Sequence, residues 1–212
     1  MKFSNWKSIT RRGIATLACF FLLLSVTPAH AQMTRIQLSE RILQPAAETD
    51  EHDSFGSATA ISGNTMVIGA FNADGNEVGA GAAFVFEKVG NNWVQTAKLF
   101  AADGKAEPVP LFPGDFRSDS LGLAVAISAD ANTIIAGAPG HNHNGKQANA
   151  GAVYVFQRTN DAWSQVAELL SPNPNGQDNF GSMPGFGGIG ISGNMIAVAD
   201  GGGGFALSLI HI

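Results

Sequence analysis

The chain has one cysteine among 212 residues, one tyrosine, 14% charged residues and 12 basic residues against 17 acidic ones. A single cysteine excludes a disulfide framework and a multi-cysteine zinc site. The acidic balance, a net charge of −5, excludes the broad basic surface that nucleic acid requires. The scarcity of charge beside 45% hydrophobic residues excludes a disordered chain. Also missing are a Gly-x-Ser-x-Gly elbow, a phosphate-binding loop and a His-Glu-x-x-His pair. The glycine run Gly201–Gly204 has no Lys-Ser/Thr after it and reads as the end of a strand. What the chain does have is 26 glycines and a pattern that repeats.

Residues 1–31 read as a cleaved signal peptide. Lys2, Lys7, Arg11 and Arg12 form a positive start, Ile14–Val26 is apolar, and Ala29-His30-Ala31 places small residues at the cleavage site. The apolar run is about 13 residues, shorter than the roughly 20 needed to cross a bilayer. The mature chain is therefore expected to be secreted, periplasmic or surface-located, with no membrane span. Thr10-Arg11-Arg12 leaves twin-arginine export open beside the general route. Cys19 lies inside the apolar run, where a lipoprotein box would have ended it. Removal of the signal leaves eight basic residues against 17 acidic ones, a net charge of −9, and no cysteine.

Five short blocks recur in the same order. Asp53-Ser54-Phe55-Gly56 returns as Asp119-Ser120-Leu121-Gly122 and as Asp178-Asn179-Phe180-Gly181, at spacings of 66 and 59 residues. Ala60-Ile61-Ser62 returns as Ala126-Ile127-Ser128 and Gly190-Ile191-Ser192, and Ile68-Gly69-Ala70-Phe71 as Ala136-Gly137-Ala138-Pro139. Gly81–Phe86 matches Gly151–Phe156, and Trp93–Leu99 matches Trp163–Leu169. Each repeat reads as four short strands, in the first Gly56–Ser62, Thr65–Phe71, Gly81–Lys88 and Trp93–Ala101, divided by Gly and Asn turns. Phe84 and Phe86 fall on one face and Val85 on the other, so the sheet is expected to be covered on both sides. Lys98 and Glu168 suit an exposed outer strand. Four antiparallel strands repeated at this period predict an all-β fold of β-propeller blades, of which about two and a half are present.

On these blocks the sequence resembles the FG-GAP repeat family, the blade type of integrin α-subunit propellers, and is closest to its bacterial secreted branch. Phe55-Gly56 and Gly69-Ala70-Phe71 stand for the motif in the first repeat, and Leu121-Gly122 and Gly137-Ala138-Pro139 in the second. The third has Phe180-Gly181 but Val198-Ala199-Asp200. The organisation expected is a lead-in or ring-closing strand within 32–52 and a first blade at 53–118 with an insertion at 104–118. A second blade follows at 119–177 and a partial third at 178–206. Leu207–Ile212 fits no blade position, resembles a translated sequencing adaptor, and is expected to be a non-native tail on a truncated reading frame. A closed ring has roughly 4–8 blades.

The resemblance implies an exported, non-catalytic adhesion or binding propeller whose partner is an extracellular protein or a glycan. The alternatives are a carbohydrate-binding lectin propeller and the propeller part of a larger secreted enzyme. Integrin-type blades can hold Ca²⁺ between their first and second strands. Here those loops, Ser62-Gly63-Asn64 and Ser128–Asn132, are short and poor in oxygen ligands. The next loop offers Asn72, Asp74, Asn76 and Glu77, which are the candidate Ca²⁺ ligands. His141 and His143 fall short of the three or four ligands zinc needs and read as a solvated loop. Asp53 in Asp50-Glu51-His52-Asp53 recurs as Asp119 and Asp178, which predicts a turn cap instead of an acid–base group. Phe112 and Phe116 lie in the unmatched insertion, where variable loops on a rigid scaffold carry binding.

Overall fold

A computed structural model describes residues 41–44, 52–105, 118–142, 149–171, 179–181, 188–200 and 206–211. The chain divides into units Met1–Arg41 and Ile42–Ile212, and of the first only Arg41 is described. The signal peptide, Cys19, His143, Asp178, Phe112 and Phe116 lie outside the described residues. Among those described, no helix is long and apolar enough to cross a membrane.

Every described element is a strand. The first sheet is a meander of β1 (Phe55–Ser62), β2 (Thr65–Ala70), β3 (Ala82–Val89) and β4 (Asn92–Leu99), with all neighbours antiparallel. The second repeats it with β5 (Ala124–Ile127), β6 (Thr133–Ala138), β7 (Ala152–Thr159) and β8 (Ala162–Leu170). The third holds β9 (Ile189–Ser192), β10 (Met195–Asp200) and β11 (Ala206–His211). First strands lie beside first strands, β1 next to β5 and β5 next to β9, which leaves β4 and β8 as the outer edges of their sheets.

The alternation of side chains explains the packing. On one face of β3, Phe84 and Phe86 join Ile68 and Ala70, with Phe55 and Ile42 against them. On the other face, Val85 and Ala83 join Val67 and Leu99, and meet Ile134, Tyr154 and Phe156 of the second sheet. The opposite face of the second sheet, Ile135, Val153 and Val155, meets Ile196 and Val198 of the third. Two-sided burial of the middle strands is thus how one sheet stacks on the next. The outer strands alternate between exposed and half-buried residues along most of their length, as expected for edges facing water.

The turns follow their residues. Asn160 and Asp161 both take positive φ, 50° and 62°, the two-residue hairpin that matches strand twist. In the β5–β6 turn, the Asp130 carboxylate accepts hydrogen bonds from Ser128 Oγ (2.5 Å) and the Asn132 amide (3.1 Å). Those bonds, the Ser128 hydroxyl first, hold its pKa below the ordinary carboxylate value. Both outer strands carry a bulge at one place. Val85 pairs Ala97 while Phe86 pairs Gln95, and Val155 pairs Ala167 while Phe156 pairs Gln165. Thr96 and Val166 are the extra residues.

One expectation changes. The end of the chain, expected to fit no blade position, forms β11 and pairs with β10 from Met195↔His211 to Asp200↔Ala206. A ladder is made by backbone groups, and the free edge of β10 offers them to any extended segment. The third repeat therefore has three strands, not two. Most of the expected lead-in or ring-closing strand within 32–52 lies outside the described residues. Ile42, which is described, packs against the Phe84 face of the first sheet.

Candidate functional site at the blade junction

The recurrent Asp-x-Phe-Gly block builds the contact between sheets. Its second residue, Ser54, Ser120 or Asn179, has φ of 58°, 56° or 50°, and the glycine two places on has 94°, 92° or 94°. This kinked segment seats the next residue against the preceding blade. The Leu121 amide donates to the Ala80 carbonyl (3.2 Å) and the Phe180 amide to the Ala150 carbonyl (3.1 Å). Gly81 and Leu121 form a parallel bridge, as do Gly151 and Phe180. The approach is so close that a Cβ on Gly81 would lie 2.4 Å from the Leu121 N and O atoms. The small residues of the second and third strands thus accommodate the backbone of the neighbouring blade.

Asp53 and Asp119 start these segments, and both are buried. The Asp119 carbonyl accepts from the Gly140 amide (3.2 Å), and its carboxylate accepts from the Lys105 amide (2.9 Å). Asp53 repeats both uses, with the Asn72 amide on its carbonyl (3.3 Å) and the Gln44 side chain on its carboxylate. The expected cap on the local turn is corrected: both carboxylates tie the blade entry to chain segments distant in sequence, and the local turn bonds are accepted by the Ser54 and Ser120 carbonyls. Gln165 adds a further tie, its Oε1 accepting from the Ala102 amide of the preceding blade at 2.9 Å. Its counterpart Gln95 has a buried Oε1 with no hydrogen-bond partner among the described residues.

At the junction of the first two blades the structure gathers a polar cluster that the sequence reading did not assemble. His141 Nδ1 lies 3.2 Å from Asp119 Oδ2 and 3.3 Å from the Tyr154 hydroxyl. His141 Nε2 lies 3.2 Å from Glu168 Oε1. The Tyr154 hydroxyl donates to Asp103 Oδ1 at 3.0 Å. The His141 and Tyr154 rings meet edge to face, 6.0 Å between centroids. His141 is 8% exposed and Tyr154 fully buried, so the expectation of a solvated histidine loop is corrected. Burial first, then the Asp103 and Glu168 charges, raises the Tyr154 pKa far above its ordinary value, so the hydroxyl is always a donor.

The cluster replaces an apolar arrangement at equivalent positions of the first blade. The His141 backbone repeats that of Ala73. The His141 amide donates to Ala138 O (3.1 Å) and its carbonyl accepts from Gly151 N (2.9 Å), as Ala73 does with Ala70 (3.0 Å) and Gly81 (2.8 Å). Tyr154 stands in the slot of Phe84, and Glu168 in that of Lys98. In the first blade Lys98 Nζ sits 5.3 Å from the centroid of the Phe84 ring, a cation–π contact. The signal was present in the aligned blocks. Phe/Tyr and Lys/Glu differ inside matched strands, and Ala/His lies two residues past the Gly-Ala-Pro position.

Asp103, His141 and Glu168 bring one ligand-type atom each within 4.8 Å of one another. A metal-bound histidine is a neutral imidazole with one nitrogen on the metal. Here Nδ1 faces Asp119 and Nε2 faces Glu168, which fits an imidazolium salt-bridged on both sides and also a metal on Nε2 with the Nδ1 proton given to Asp119. The candidate Ca²⁺ loop is a different place. Asp74 Oδ1 accepts from the Gly79 amide (2.9 Å), and Asn72 Nδ2 donates to His52 O (3.1 Å). Asn76 Nδ2 donates to Gly104 O (3.5 Å), and the Glu77 carbonyl accepts from Gly75 N (2.9 Å) and Ala80 N (3.2 Å). In these bonds the two asparagines use their nitrogens as donors, whereas Ca²⁺ would take side-chain oxygens. A rise in melting temperature on titration with millimolar Ca²⁺ would support these residues as ligands, and an unmoved melting would refute a structural site.

Antiparallel meanders joined first strand to first strand, each covered on both faces by the next, are blades of the β-propeller class. The family model described as FG-GAP repeat matches residues 45–86 and 111–156. The chain thus carries FG-GAP repeats in these two stretches. A search of the curated proteins finds no match.

Proposed function

We propose that this FG-GAP propeller segment is an exported, non-catalytic binding module that engages an extracellular protein or a cell surface. One observation carries the reading. The residues shared by the repeats are consumed in holding blade to blade, while the segment that differs most, 104–118, connects the first two blades. A rigid repeated frame with variable connections is the arrangement in which loops carry recognition. The titratable groups brought together at the junction face one another, and the two at its centre, His141 and Tyr154, are buried. Export rests on the basic start, the apolar run and the small residues at 29 and 31.

The test is binding of the purified mature chain to immobilised extracellular-matrix proteins and, in parallel, to a glycan array. Saturable binding to a protein, lost when 106–117 is replaced by a Gly-Ser segment, is the expected result. Binding confined to glycans would favour the lectin reading, and turnover of any arrayed substrate would overturn the non-catalytic one.

A further inference from the structure

The geometry points to a proton-operated clasp at the entry to the second blade: His141, as an imidazolium, holds Asp119, which in turn holds the Lys105 amide of the connection from the first blade, and the junction slackens when that proton leaves. A neutral imidazole has one N–H and one bare nitrogen. Nδ1 faces the Asp119 carboxylate and the Tyr154 oxygen, whose own proton is given to Asp103. Nε2 faces the Glu168 carboxylate. Whichever nitrogen is bare therefore lies against a carboxylate oxygen, and only the doubly protonated ring satisfies both sides.

Asp103 alone comes from the first blade, where it accepts from the Tyr154 hydroxyl; the other groups belong to the second. Asp103 follows β4 of the first, Asp119 precedes β5, Tyr154 is on β7 and Glu168 on β8. The Asp119 carboxylate also holds the Lys105 amide of the connecting segment, so the pull on His141 reaches the chain leaving the first blade. Burial opposes the charge on the ring. The Asp119 hydrogen bond and charge, then Glu168 and Asp103, outweigh it, and His141 keeps its proton above the ordinary value of 6.5. Glu168 is 29% exposed and Asp119 only 4%, so water weakens the Glu168 arm and the Asp119 arm dominates.

The sign follows from linkage. A group whose pKa is raised on folding stabilises fully below its unfolded value and loses that stabilisation as pH rises through the folded one. The clasp is therefore closed below about pH 6.5, the ordinary imidazole value, and opens as the solution becomes alkaline.

The experiment is urea unfolding of the full chain at pH 6, 7, 8 and 9, beside the triple variant H141A/Y154F/E168K. That variant installs the residues of the first blade, Ala73, Phe84 and Lys98, at the same backbone positions, and it leaves the other histidines in place. The wild-type unfolding constant is expected to rise with pH, at no more than about tenfold per pH unit, the limit for one linked proton. The triple variant is expected to lose that rise. Equal slopes in the two proteins, or a wild-type slope of opposite sign, would overturn the clasp. A slope abolished by EDTA would overturn it in favour of a metal. Should the triple variant fail to fold, NMR titration of the His141 ring in the wild type decides: a midpoint above that of a free imidazole supports the clasp, and one at or below it refutes it.

Discussion

Gly81→Ala should cost about 3 kcal/mol or more, a large part of a total stability of roughly 5–15 kcal/mol. Two costs add at this position. Its φ of +91° lies where side chains are strained, about 1–3 kcal/mol for a non-glycine residue. The new Cβ would also lie 2.4 Å from the backbone N and O of Leu121. No side chain can swing aside to relieve this, so the blades must part, and the Leu121-to-Ala80 hydrogen bond is lost with about 1 kcal/mol. Two further substitutions separate the costs. Gly63 has φ +56° with nothing within 4 Å of its Cβ position, and Gly190 has neither positive φ nor a neighbour within 4 Å. Gly63→Ala should cost about 1 kcal/mol, the price of backbone strain alone, and Gly190→Ala should stay within about 1 kcal/mol of wild type. Urea midpoints rank the three. A Gly81→Ala protein as stable as the Gly63→Ala one would show that the blades are not held at this distance.

Phe180→Ala should cost about 3–5 kcal/mol, the range for an aromatic removed from a close-packed core. Phe180 has no exposed surface and sits among Ile135, Val153, Val155, Ile196 and Val198. It fills the space between the second and third sheets, and neither side can follow it inward. Phe55 holds the same place in the repeat but is only half-buried, meeting Phe84 and Phe86 edge to face at 5.4 and 6.2 Å. Its replacement by alanine should cost about 1–2 kcal/mol, from part of its apolar area and the ring contacts. The comparison holds the motif constant and varies only the packing. Equal losses at the two positions would mean that the Phe-Gly pair matters for the local turn and not for what covers it.

The blade strands were legible because two signals coincide in them. Phe84, Val85 and Phe86 announce two covered faces, and Gly63, Gly90 and Asn160 mark the reversals. Their ends shift by one or two residues because hydrogen bonding, not hydrophobicity, sets where a ladder stops. The recurrence of Asp53 as Asp119 marked a shared structural role, which is a tie to distant segments and not a cap on the local turn. The polar cluster was not legible, because Asp103, Asp119, His141, Tyr154 and Glu168 are scattered over 66 positions and meet only once the sheets stack. Read singly, His141 lies between a Gly and an Asn and looks like a loop residue. Its burial follows from the backbone it shares with Ala73, a fact of three dimensions. The strand at Ala206–His211 escaped for another reason. An open edge recruits by geometry and leaves no mark in the sequence it recruits.

The seat on Gly81 is filled by Leu121, not by any residue of its own repeat. A chain that emerges N-terminus first, from a ribosome or a translocation channel, therefore completes β4 at Leu99 before the first sheet can be sealed. The 22 residues from Phe100 to Leu121 must follow before its inner surface is capped. Assembly thus runs half a step behind synthesis, and each blade waits, partly uncovered, for the first words of the next.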